Sequence, residues 1–205
     1  MQVILHNISK SFGSLKVLSD FSLVMETGRI YGLMSPSGAG KTTLLRILMG
    51  LEAPDDGCVE KPEHLRISAV FQEDRLCQAF TPIENVRMVV GKSLTEHQVQ
   101  AELCRLLPEE SLKRPVSTLS GGMKRRTAIC RALLAPSDLL LMDEPFTGLD
   151  EDTRHNVILY MMEKCAGKIT LVTTHQEQDI AALKARLIHL PVTIQVSDLT
   201  EIPKV

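Results

Sequence analysis

A run of small residues ending in lysine and two threonines, Ser35-Pro36-Ser37-Gly38-Ala39-Gly40-Lys41-Thr42-Thr43, restricts this chain more than any other feature. An apolar stretch of strand character, Arg29-Ile30-Tyr31-Gly32-Leu33-Met34, precedes it. Leu44, Leu45, Ile47, Leu48 and Met49 follow with helical spacing up to Gly50. A tight turn between a buried strand and a helix leaves backbone N–H groups unpaired at the helix N-terminus. With the positive end of the helix dipole they form an anion site. Lys41 adds a full charge within reach of β- and γ-phosphate oxygens, and the Thr42 hydroxyl is suited to ligating Mg²⁺. One position departs from the pattern G-x-x-x-x-G-K-[ST], because Ser35 stands where glycine is expected. At positive φ a serine costs roughly 1–2 kcal/mol there; at negative φ it costs little. The alternative is a small-residue turn that only joins a strand to a helix, and the Gly-Lys-Thr-Thr ending favours the phosphate loop.

A chain of 205 residues has room for one sizeable core with a smaller lobe attached. With aromatic content of 3 % and no Trp, that core must be made of Leu, Ile, Val, Ala and Met. A net charge of −2 gives no global attraction to nucleic acid or anionic membrane. The five cysteines (Cys58, Cys77, Cys104, Cys130, Cys165) include no C-x-x-C pair, which argues against disulfides and a structural zinc and for a reducing cytoplasm. No secretory leader is expected at residues 1–8, and no apolar stretch approaches the ~20 residues that cross a bilayer. Any membrane span must come from another chain.

Residues 1–8, 15–18 and 21–25 read as three strands of a half-exposed antiparallel sheet, with Ser11-Phe12-Gly13 as a turn. Pro54-Asp55-Asp56-Gly57 reads as a turn and residues 65–71 as a strand. Residues 74–118 carry helical patterns, with one helix opening at Pro82, another over Thr95–Leu107, and Pro108 and Pro115 punctuating the end of the lobe. An α/β pattern then resumes: a helix capped by Ser120 and running through Leu134, a buried strand at residues 139–142, and a helix from Asp152 to Lys164. A strand at 169–173, a helix near 176–184 and a last strand near Leu187 complete it. Alternating strands and helices imply a parallel core sheet.

Two further motifs carry chemistry. In Asp138-Leu139-Leu140-Leu141-Met142-Asp143-Glu144-Pro145, two acids emerge at the C-terminal end of a core strand, where ligands bind in open α/β sheets. Asp143 suits the Mg²⁺ shell, and Glu144 suits orienting and deprotonating an attacking water. In Leu119-Ser120-Gly121-Gly122-Met123-Lys124, a capping serine and two glycines expose N–H groups at a helix start. One nucleotide rarely needs two such helix ends, whereas two chains meeting head to tail would use both. Lys124, Arg125, Arg126 and Arg131 read mostly as the charged face of that helix. His6, His64, His97, His155 and His189 lack metal-binding spacing and read as solvated.

Taken in order, these motifs resemble the nucleotide-binding subunit of an ATP-binding cassette (ABC) transporter, over nearly the whole chain. Residues 35–42 resemble the Walker A loop, Gln72 the Q-loop glutamine, residues 119–123 the LSGGQ signature and residues 139–144 Walker B with its glutamate. Gly148-Leu149-Asp150 resembles the D-loop, His175 the switch histidine, and Phe12 the aromatic that stacks on adenine. The resemblance implies an α/β P-loop NTPase core with a mostly parallel sheet, an N-terminal antiparallel β subdomain and an inserted helical subdomain. One ABC ATPase domain would span 1–205, with 1–73 and 119–205 as core and 74–118 as the helical part.

It also implies site roles. Phe12, Ser35, Ser37, Gly38, Ala39, Gly40, Lys41, Thr42 and Thr43 bind ATP, and Thr42, Gln72 and Asp143 serve Mg²⁺. Glu144, His175 and Gln72 are catalytic. Ser120, Gly121 and Gly122 act in trans on the ATP of a second copy, with Asp150 at the seam. Taken singly, Phe12 also reads as a surface aromatic, Gln72 as a strand-end polar residue and His175 as a helix cap. Met123 departs from the usual Gln. No further regulatory domain is expected after the last core strand.

The implied partners are a second copy, a membrane-spanning permease and a solute-binding protein, with no nucleic acid. The implied location is cytoplasmic, on the inner face of the membrane. Gln72-Glu73-Asp74-Arg75-Leu76 and the short lobe resemble the nitrate/sulfonate/taurine group of importers. Residues near 75–80 are expected to receive a permease helix. The alternatives are a soluble ABC-type ATPase acting on nucleic acid or protein, and a non-hydrolysing nucleotide-binding partner.

Overall fold

A computed structural model of the chain describes residues 1–190; the end of the expected core range, 191–205, lies outside them. Two long strands, β1 (Gln2–Phe12) and β2 (Leu15–Glu26), pair antiparallel, and β4 (Asp56–Glu60) joins the other edge of β1 to give the order β2-β1-β4. The antiparallel subdomain is as expected, with three corrections. Residues 15–25 form one continuous strand, because irregular pairing with β1 between Leu5 and Ser11 absorbs the break in apolar alternation. The stretch expected as a turn at 54–57 runs into a strand. Gly57 lets it, since a Cβ there would stand 2.2 Å from the His6 carbonyl oxygen. Phe12 is the last residue of β1 rather than part of the turn.

The second sheet has five strands in the order β5-β6-β7-β3-β8, all parallel: β3 (Ile30–Met34), β5 (Ile67–Val70), β6 (Leu139–Asp143), β7 (Ile169–Thr173) and β8 (Arg186–His189). Its inner strand β6, flanked by β5 and β7, is buried throughout. The alternation of side chains divides β6 between two cores. Leu139 and Leu141 join β1, β2 and helix α1 (Lys41–Leu48) in one apolar cluster. Leu140 and Met142 face the other, which holds residues of α2 (Pro82–Val90), α3 (Glu96–Cys104), α4 (Gly121–Leu134) and α5 (Glu151–Lys164).

Helices α2 and α3 start where the sequence places them, for a local reason. Each has a capping box: the Thr81 Oγ1 accepts from the Glu84 N–H while the Glu84 carboxylate accepts from the Thr81 N–H, and Thr95 with Gln98 does the same. Helix α3 ends at Cys104, three residues before the expected end. A short helix α6 (Glu177–Ala182) packs on β3, where a Cβ on Gly32 would fall 2.0 Å from Ile180 Cδ1. Among the described residues, no helix is long and apolar enough to cross a membrane.

Candidate functional site

The phosphate loop lies between the C-terminal end of β3 and the start of α1, with Gly38 and Gly40 at positive φ (79° and 94°). Gly40 is irreplaceable on two counts. Its φ disfavours a side chain, and a Cβ would meet Val17 Cγ1 at 2.8 Å and the Val17 carbonyl oxygen at 2.9 Å. Ser35 is not among the residues of positive φ, so its substitution for glycine carries no backbone strain. Its hydroxyl is buried without a partner. The Lys41 ammonium, only 6 % exposed, donates to the carbonyls of Ser35 (2.7 Å) and Pro36 (3.1 Å). Burial pulls its pKa down, against the raising influence of Glu144 and Asp143.

Across the cleft, the two acids at the end of β6 are held differently. Asp143 is buried, and its two oxygens accept from the hydroxyls of Thr42 and Thr173, each at 2.7 Å. Glu144 sits at φ 47°, a conformation unusual for a residue with a side chain, and its N–H donates to Thr173 Oγ1 at 2.9 Å. Its carboxylate lies 2.5 Å from His175 Nε2, which joins the end of β6 to the loop after β7. Phe12, Val17, Ser37, Gly38, Gly40, Lys41, Thr42, Thr43, Gln72 and Glu144 line one cleft of about 330 Å³. Phe12 is half exposed at its rim, 5.4 Å from the Lys10 ammonium. Thr42 and Asp143 offer hard oxygen ligands with a single carboxylate. That set suits Mg²⁺, which takes one or two carboxylates together with phosphate oxygens and water. Among the described residues no group of three or more His, Cys, Asp or Glu forms a metal cage.

The residues of 119–123 lie outside this cleft. Ser120 caps α4, its hydroxyl accepting from the Met123 N–H at 3.2 Å. A Cβ at Gly121 would meet nothing within 4 Å, and at Gly122 only ordinary contacts, the nearest at 3.6 Å. Nothing among the described residues therefore requires glycine at either position. Met123 packs against Leu76, Val116, Leu119 and Ala128, which explains an apolar residue at the end of the signature. Asp150 caps α5, accepting from the Thr153 N–H at 2.9 Å.

Sequence reasoning missed several supporting residues. Thr173, fully buried, orients Asp143 and Glu144 together. Thr174 donates to the buried Asp179 and accepts from the Gln176 N–H, and Arg154 donates to the Gln176 side chain, which ties down the residues on both sides of His175. Consecutive threonines at the end of an otherwise apolar strand were the available clue, since buried hydroxyls need partners. The reading of Arg125, Arg126 and Arg131 as a charged helix face is corrected. Arg125 is buried, and all three guanidinium groups bond to backbone carbonyls of other segments.

A family model described as ABC transporter matches residues 18–147. Among curated relatives, Nod factor export ATP-binding protein I of Cupriavidus pinatubonensis is 40% identical over 83% of this chain and 58% of its own length. The protein of the same name from Paraburkholderia xenovorans is 38% identical over 88% of this chain and 64% of its own. A spermidine/putrescine import ATP-binding protein of Fusobacterium nucleatum is 33% identical over 88% and 52%. The chain thus spans roughly three-fifths of the length of the curated relatives it matches. Among solved structures, the dimeric bacterial ABC transporter cassette MJ0796 superimposes with a TM-score of 0.81 at 25% identity, covering 92% of this chain and 94% of that one.

Proposed function

Starting from the fact that this chain belongs to the ABC transporter family, we propose that it is an ATP-hydrolysing subunit that drives solute transport through a separate membrane-spanning permease. The observation that carries this reading is the convergence of Lys41, Thr42, Gln72 and Glu144 on one cleft, with Asp143 bonded to Thr42 beneath it. Phe12 stacks on the adenine, and residues 35–43 cradle the phosphates with their N–H groups and Lys41. Thr42, Gln72 and Asp143 would hold Mg²⁺, which when bound would supply charge neutralisation on the phosphate oxygens. Glu144 accepts a proton from the attacking water, and His175, beside it, holds the γ-phosphate.

The glycines of 121–122, which no described residue requires, serve the γ-phosphate bound to a second copy, with Asp150 at the seam. A two-fold head-to-tail dimer closes around ATP because ATP adds contacts to the closed state alone. The solved structures titled as a dimeric cassette and as a post-hydrolysis state with ADP and Pi lend this support.

A groove of about 160 Å³ beside Thr42 is lined by Leu45, Arg46, Met49, Leu51, Phe71 and Arg75. With exposed Phe80 and Met88 nearby in sequence, it is the surface that meets the permease on the cytoplasmic face. The Gln72–Leu76 stretch favours import of a small organic or oxyanion solute, with a solute-binding protein as a further partner. The names of the Nod factor relatives favour export. Either direction uses the same cleft, and membrane vesicles holding the subunit with its permease separate them by the side on which solute accumulates. The primary test is MgATP turnover: Glu144→Gln is expected to lower it by about 10²-fold or more while retaining ATP binding. A wild type without turnover overturns the enzymatic reading in favour of a non-hydrolysing partner.

A further inference from the structure

Beyond the end of β5 the chain runs through residues 71–75 without regular secondary structure. Carbonyls of this segment are bonded by two arginines of α4. Arg125 Nη1 donates to the Phe71 carbonyl at 2.7 Å, and its Nη2 donates to that of Gln72. Its Nε stands 3.2 Å from Asp74 Oδ1, an ion pair without the alignment of a hydrogen bond. Arg131 donates to the carbonyls of Asp74 (3.2 Å) and Arg75 (3.0 Å). Arg75 in turn lies over the Phe71 ring, 3.8 Å from its centroid. A little further on, the Phe80 and Gln78 carbonyls accept from the N–H groups of Val116 and Ser117, just ahead of the cap of α4.

We infer that Arg125 is a positioning residue that locks Gln72 to helix α4, so that the two ends of the site move as one body. The inference rests on the reading of Gln72 and Ser120–Gly122 given above. A buried guanidinium is planar and rigid; its two Nη groups are spent on two consecutive carbonyls while its Nε faces a carboxylate as an ion pair, which fixes the segment in direction as well as distance. Gln72 lines both the cleft at Lys41 and the groove containing Phe71 and Arg75. Its backbone is therefore tied to the helix whose N-terminus carries the glycines, and a displacement of α4 displaces Gln72 with it. Arg125 does not line the cleft, so its effect must pass through Gln72.

The test uses the full chain with Arg125→Met and, to keep the charge while losing the fork, Arg125→Lys. Amide hydrogen exchange is expected to quicken about 10-fold or more at residues 71–76 in Arg125→Met, with β6 and β7 unchanged, as a local opening requires. MgATP turnover should fall about 10-fold in kcat with KM within about 3-fold, and Gln72→Ala should not add to the loss, because the two residues act as a unit. Arg125→Lys should fall between Arg125→Met and wild type in both readouts. Unchanged exchange at 71–76, or independent and multiplying losses in the double variant, overturns the inference. If the wild type itself lacks turnover, the proposed function fails, while hydrogen exchange still decides the clamp.

Discussion

Two glycines of the phosphate loop look alike in sequence but differ in what they tolerate. Gly38 and Gly40 both hold positive φ, yet a Cβ on Gly38 meets open space whereas one on Gly40 runs into Val17. Gly38→Ala should therefore cost only the conformational penalty of about 1–2 kcal/mol. Gly40→Ala adds overpacking of roughly 1–3 kcal/mol and displaces the start of α1. Urea denaturation and ATP-binding titrations of both variants check this, and equal losses would refute the steric distinction. Ser35, the one departure in the motif, turns out to lie where no positive φ is required, so it leaves the loop's backbone unstrained. The strain is located instead at Glu144, whose left-handed backbone is held by Thr173 and whose carboxylate meets His175. No sequence pattern announces such a conformation at a glutamate, because it arises from two strand ends meeting in space.

Elements are held in register by a few charged groups, and one of these gives a signed pH dependence. Asp138, just before β6, accepts from the Arg66 N–H, Nε and Nη2 at 2.8–3.0 Å, and its own N–H donates back to the Arg66 carbonyl, which pins the start of β5 to β6. The Arg66 side chain and N–H lower the Asp138 pKa to about 2. A depressed carboxylate contributes stability that is complete above its unfolded pKa of about 3.9 and is lost as pH falls toward the folded value. Asp138→Asn should accordingly be less stable than wild type at pH 7, with the gap narrowing from about pH 4 down to pH 2. Thermal melts across that range check it, and a constant gap would exclude the carboxylate as the cause. The elements themselves were largely legible. Capping boxes, prolines and the continuous apolar run of β6 announce their own boundaries. Strand β4 was not, since its burial pattern is almost wholly exposed and it exists only by pairing with β1. The buried arginines of α4 were illegible for a related reason, as their acceptors are carbonyls distant in sequence.

At the scale of the whole molecule, room for a Cβ at Gly121 and Gly122 lets folding and the proposed assembly be tested apart. A Cβ at Gly122 makes only ordinary contact with Leu149 and Gly148, and alanine favours a helix over glycine by up to about 1 kcal/mol. Gly122→Ala should leave the chain as stable as before or slightly more so. It should also abolish the MgATP-dependent dimer in a Glu144→Gln background, as read by sedimentation. A dimer that persists would show that this helix end does not meet the second copy's phosphates. The order of motifs made the site legible in outline, because each motif couples a local backbone geometry to a chemical group. The supporting threonines and arginines stayed hidden, because their roles follow from tertiary contacts alone.

The buried apolar side chains of 86–112 belong to the same continuous cluster as Leu140, Met142 and Phe146. Helices α2 and α3 therefore have no private interior: cut away, they would leave both themselves and one face of the sheet unroofed. A relative's insert could not be grafted in as a cassette without rewriting the sheet beneath it. Outward residues such as Met88 and Val89 stand apart from that shared core, so the surface they form can diverge without disturbing the sheet beneath.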